Sequence, residues 1–100
     1  MFDELKTKFE RARARAWIRR QKKFVARVLE VKHRQVYAVF RTNGGEGLAA
    51  YYSRERGKMW MQFVGFDGSV YGGPTFIGNS RDALEHMAAT SRASGWVWHW

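Results

Sequence analysis

Apolar residues recur near the start of the chain at Phe2, Leu5, Phe9, Ala12 and Ala16, at spacings of 3, 4, 3 and 4. That period puts them on one narrow stripe of an α-helix, expected to dock through Phe2, Leu5 and Phe9. Asp3 and Glu4 fall in its first turn, where carboxylates suit the helix dipole. Trp17 and Ile18 leave the stripe, so the helix is expected to end or change its contacts there. From Phe24 the pattern changes. FVARVLEV is rich in β-branched residues and reads as a strand, and VYAVF from Val36 to Phe40 as a second, beyond the polar break Lys32-His33-Arg34-Gln35. A helical continuation through Phe24–Lys32 is the competing reading, because short apolar runs are ambiguous.

Asn43-Gly44-Gly45-Glu46-Gly47 marks a loop, LAAYYS a third strand and Arg54-Glu55-Arg56-Gly57 a turn. KMWMQFVGF, Lys58 to Phe66, is apolar on both faces and predicts an interior strand. Asp67-Gly68 is a hairpin turn. SVYGG and PTFIG follow, split at Gly72-Gly73-Pro74, and Pro74 places this segment at an edge or bend. Asn79 or Ser80 caps a second helix, with Ala83, Leu84, Met87 and Ala88 on its buried face and Gly95 as its stop. The final WVWHW alternates as a short strand, with Trp96, Trp98 and Trp100 on one side. The sum is one α+β domain over residues 1–100: an antiparallel sheet of about five strands, with a basic N-terminal helix and a C-terminal helix packed on it.

Charge sharpens this picture. The chain of 100 residues has a net charge of +9. Residues 1–41 hold thirteen Lys/Arg against four acids, and the remainder balances at five against five. Nine of the cations lie between Lys6 and Lys23, with Glu10 the one acid among them. At 100° per residue, Lys8, Arg11, Arg15, Arg19 and Lys22 fall on one flank of the apolar stripe, and Lys6, Arg13 and Arg20 on the other. Such one-sided charge points to an acidic partner: DNA or RNA, or an acidic surface of a protein complex. The expected contact set is Lys8, Arg11, Arg13, Arg15, Trp17, Arg19, Arg20, Lys22 and Lys23, with Arg27, Lys32, Arg34 and Arg41 extending the surface. Trp17 lies between Arg13 and Arg20. It either packs under their stems or stacks on a base.

Catalytic and metal chemistry find little support. Cysteine is absent, which removes disulfides and thiolate ligands and fits a reducing, cytoplasmic setting. His33, His86 and His99 have no metal-ligand spacing. Asp67, Asp82 and Glu85 suit turn and capping roles. NGGEG lacks the lysine and the helix start of a phosphate-cradling loop. No enzyme activity and no cofactor or metal is expected. No apolar h-region follows the first residues and no run is long enough to span a bilayer, so neither a secretory signal nor integral membrane insertion is expected. The C-terminal tryptophans would otherwise close the core, anchor a partner or form a homodimer.

Trp60 and Phe63 on a strand, Asp67-Gly68 at the turn, Gly78 before a helix and then Ala83-Leu84 lie within the segment Gly57 to Met87. In that order they resemble the ββ(β)α units of AP2-type DNA-binding domains, of phage-integrase arm-binding domains and of short bacterial DUF1508-type domains. The resemblance covers about a third of the chain. It implies the local topology. AP2-type domains read DNA with Arg and Trp on the open sheet face, whereas Met59–Phe66 offers Gln62 as its one polar side chain. In bulk style the chain is similar to small bacteriophage accessory proteins that disable one host machine, anti-CRISPR proteins among them. In size and charge it is also similar to basic ribonuclease toxins of the RelE type, which would recruit Tyr52, Arg54, Glu55, Arg56 and Lys58. The reading that these residues favour is a non-enzymatic basic module contacting a nucleic acid backbone, with an inhibitor or adaptor on an acidic protein surface as the alternative.

Overall fold

A computed structural model describes residues 2–42, 45–94 and 97–99, with side chains described over 12–42 and 45–90. Helix α1 spans Phe2–Leu29. A short 3-10 turn at His33–Gln35 leads into β1 (Val36–Arg41), and β2 (Gly47–Glu55), β3 (Lys58–Gly65) and β4 (Val70–Gly78) follow as a meander. Helix α2 (Ser80–Ser94) then crosses the sheet, and the three-residue β5 (Val97–His99) pairs with β1. All pairings are antiparallel and the strand order is β4-β3-β2-β1-β5. The α+β class, the antiparallel sheet and the two helices are those expected from the sequence.

The expected strand at Phe24–Val31 does not form, and α1 runs through it to Leu29. Extending a helix already begun adds one hydrogen bond per residue fixed, and no Gly or Pro interrupts this one. The same residues bury well on a helix. Ile18, Val25 and Leu29 recur at helical spacing and are all buried, with Ala26 beside them. What stops the helix is a Schellman turn: Val31 N–H donates to Ala26 O at 2.9 Å and Glu30 N–H to Arg27 O at 3.3 Å. Glu30 takes the left-handed conformation (φ 57°) that glycine usually fills. Arg54 completes the end by donating from Nη2 to Leu29 O at 2.8 Å.

The docking stripe also differs from the expected one. Ala12 and Ala16 are exposed, and the helix meets the sheet through Ile18, Val25, Ala26 and Leu29. Phe2, Leu5 and Phe9 have side chains outside the described residues.

The sheet is apolar on both faces because each face carries a helix. Val36, Val39, Leu48, Ala50, Tyr52 and Val64 form one core with α1. Ala38, Phe40, Ala49, Tyr51, Met59 and Met61 form the other, with Ala83 and Met87 of α2. Leu84, expected on the buried face of α2, is 41% exposed. That alternation explains the unbroken apolar runs of β2 and β3, as in sheets covered on both sides. Within the second core, Tyr51 is fully buried and hydrogen-bonds through its hydroxyl to His86 Nδ1 at 2.7 Å. Burial pushes that hydroxyl up to about 12, with Thr90 pulling the other way.

The two segments read on either side of Gly72-Gly73-Pro74 form one strand, β4, at the sheet edge. Met61 faces Thr75 and Phe63 faces Tyr71, so Gln62 alone faces residues 72–74. The bulge frees carbonyls, and buried Gln62 takes them: its Nε2 donates to Tyr71 O at 2.8 Å and Gly72 O at 3.0 Å. Proline and a bulge are devices that blunt an exposed edge. At the β3–β4 turn, Asp67 Oδ1 accepts from the Ser69 hydroxyl at 2.5 Å and from Ser69 N–H at 3.0 Å, and these contacts hold its carboxyl below the usual range. Asn79 is the α2 cap: Asp82 N–H donates to its Oδ1 at 2.9 Å, and its own N–H donates to Asp82 Oδ2 at 3.0 Å.

Candidate polyanion interface

The docking stripe fixes where the cations of α1 point. With Ile18, Val25 and Leu29 against the sheet, the positions opposite are Arg13, Arg20 and Arg27, with Lys23 beside them. All four are exposed. Arg13, Arg20 and Arg27 are seven residues apart, so they form a row with steps of about 10.5 Å along the axis. Lys22, nearer the docking side, is half-buried.

Two shallow grooves flank this row and meet at Arg20. The first, about 540 Å³, is lined by Arg13, Ala14, Ala16, Trp17, Arg20 and Arg41. Arg41, the last residue of β1, holds its guanidinium carbon 5.1 Å from the centre of the Trp17 ring. Trp17 is half-buried and already carries a cation on its face, so it packs under arginine. The second groove, about 580 Å³, is lined by Arg20, Lys23, Ala26, Arg27, Val31 and His33.

No acid occurs between Ala12 and Leu29. Among the described residues, ion pairs form at Lys58–Glu55 (3.3 Å) and Arg81–Glu85 (3.9 Å), neither of them on α1. The seven cations between Arg13 and Arg27 therefore have no carboxylate within pairing distance there. Arg15–Arg19, Arg19–Lys23 and Lys23–Arg27 are like-charged at i,i+4, each costing a few tenths of a kcal/mol in a helix. The arrangement can receive a string of negative charges without first displacing a partner among the described residues.

The expected contact residues separate as follows. Arg13, Arg20, Lys23 and Trp17 come together at the grooves. Arg15 and Arg19 are exposed and line neither. Lys8 and Arg11 lie on α1 with side chains outside the described residues. Trp96 and Trp100 also lie outside them. Trp98 is on β5 opposite Phe40, with its side chain not described. Arg27 and Arg41, read from the sequence as extending the basic surface, line the two grooves. His33 was missed, although its place between Lys32 and Arg34 is a signal for it.

The residues of a RelE-type argument lie together at the β2–β3 turn end of one hairpin. Tyr52 is buried, with the Arg54 guanidinium carbon 5.6 Å over its ring. Arg54 caps α1, and Glu55 pairs with Lys58. Among the described residues no three His, Cys, Asp or Glu side chains group as a metal site, and no helix is long and apolar enough to cross a membrane. No protein-family model, curated protein or solved structure matches the chain.

Proposed function

We propose that this protein is a non-enzymatic module that binds the backbone of a nucleic acid through the outer face of α1. The observation that carries the reading is the row Arg13, Arg20 and Arg27, with Lys23 and Arg41 beside it and, among the described residues, no acid within pairing distance. From Arg13 to Arg27 the helix rises about 21 Å. Along a duplex axis that span equals the rise of about six base pairs, at 3.4 Å per phosphate on each strand. Arginine supplies forked donors suited to phosphate oxygens. Nothing in the row requires base-edge readout, so the reading places recognition on charge and backbone shape. The absence of cysteine suits a cytoplasmic setting.

Capture from cell lysate with the tagged protein, with and without nuclease, tests this against an acidic protein partner of the inhibitor or adaptor kind. Heterogeneous DNA or RNA is expected on the untreated resin, with co-purifying proteins lost after nuclease. One protein recovered at fixed stoichiometry after nuclease, with no nucleic acid before it, would overturn the reading.

A further inference from the structure

We infer that a third groove, at the end of the sheet, takes one unpaired nucleotide of the same nucleic acid; this rests on the function proposed above. The groove measures about 580 Å³, and its lining includes Arg34, Tyr37, Ser53, Arg56, Met59 and Ser80. The 3-10 turn presents Arg34, β1 presents Tyr37, and the two-residue β2–β3 turn presents Arg56. No acid lines it.

Most of its other polar groups are occupied. Gln35, also at the rim, accepts from Lys32 N–H at 2.7 Å and donates to Arg54 O at 3.3 Å. Ser53 Oγ donates to Glu55 O at 2.6 Å. The first turn of α2 is closed by the reciprocal Asn79–Asp82 bonds. What remains for a ligand is an aromatic ring, 40% exposed, between two exposed guanidinium groups, together with the Ser80 hydroxyl. A planar π-face beside forked cations is the chemistry that holds a base and its phosphates.

Two comparisons favour Tyr37 over the other aromatic side chains. Trp17 is covered by Arg41. Phe66, Tyr71 and Phe76 are exposed at or beside the β4 edge, and Tyr71 borders a groove that contains Glu46. The position also matters. His33 lines the α1 groove and Arg34, its chain neighbour, lines this one. A strand followed along α1 is thus handed across the 3-10 turn to Tyr37.

The test compares a blunt DNA duplex with the same duplex carrying a short oligothymidylate tail. Binding is measured to wild type, Tyr37→Leu, Tyr37→Phe and Arg34→Gln/Arg56→Gln, each checked by circular dichroism for folding. The tail is expected to raise wild-type affinity about tenfold, within the range for one stacked base. Tyr37→Leu and the double variant should lose that gain and still bind the blunt duplex, and Tyr37→Phe should keep it. A blunt duplex bound with no gain from the tail, or a gain that survives Tyr37→Leu, would overturn this inference and leave the α1 reading standing. Failure of wild type to bind either duplex would overturn both.

Discussion

The two helices press on opposite faces of one sheet and solve the same packing problem with few side chains. α1 uses Ile18, Val25, Ala26 and Leu29, and α2 uses Ala83 and Met87. Away from those contacts they diverge. α2 opens with a capping box, places Asp82 in its first turn, and sets Arg81 against Glu85 one turn on. Its charge balances. α1 carries seven cations and no acid from Ala12 to Leu29. A surface helix can be built on this sheet without such an excess, as α2 is. The charge on α1 opposes helix formation locally. On the function proposed above, that charge serves what the helix meets.

The largest effects should come where the helices are alike. Met87→Ala and Leu29→Ala each remove a large apolar side chain from a core, at a cost of about 2–5 kcal/mol. Because both cores share the central strands, each variant should unfold in one transition at lower denaturant, followed by circular dichroism. A Leu29→Ala protein that keeps wild-type stability would mean that α1 is not part of the folded unit.

The helix ends sharpen the contrast. Asn79→Ala should cost about 1 kcal/mol by removing the α2 cap. Glu30→Gly should do the opposite, because the left-handed turn after α1 suits glycine, and a gain of about 0.5–1 kcal/mol is expected. Urea melts of the two variants should move in opposite directions. Movement in the same direction would refute the role given to the Glu30 backbone.

An effect confined to alkaline pH concerns Tyr51 beneath α2. Its hydroxyl stays protonated in the fold up to about pH 12. The unfolded chain ionises near pH 10, the ordinary value for tyrosine. Between these values the unfolded state binds fewer protons, so stability falls as pH rises. Tyr51→Phe should flatten that part of a stability-against-pH curve. An equally steep fall in the variant would assign the alkaline loss to other groups.

Local chemistry was legible where one residue type decides the geometry. Asp67-Gly68 made its turn, Asn79 its cap, and Pro74 its edge. The run Phe24–Leu29 was not, because its apolar residues suit a strand or a helix equally and the preceding helix decides. That misreading carried over to the site. Taking Ala12 and Ala16 as the docking stripe, in place of Ile18, Val25 and Leu29, turns the helix by roughly 140° at 100° per residue. Arg13 and Arg20 then seem to sit on a flank, and Arg27 seems to lie on a strand, when the three form the outward row. The identity of the basic surface was in the composition. Its centre depended on which side chains the sheet buries, and that is a tertiary fact. The pairing of Arg41 with Trp17 was equally out of reach, since it joins β1 to α1 across the fold.

The most direct test of the account is the salt dependence of binding to a DNA duplex. It should be run on wild type, on Arg13→Gln/Arg20→Gln/Arg27→Gln, and on Arg81→Gln as the α2 control. With about five phosphate contacts, log K should fall against log salt with a slope of about −4.5 for wild type and for the control. The triple variant should retain a slope of about −2 while melting no lower than wild type, since it relieves like-charge repulsion. An unchanged slope in a folded triple variant would contradict the claim that the outer row of α1 is the contact surface.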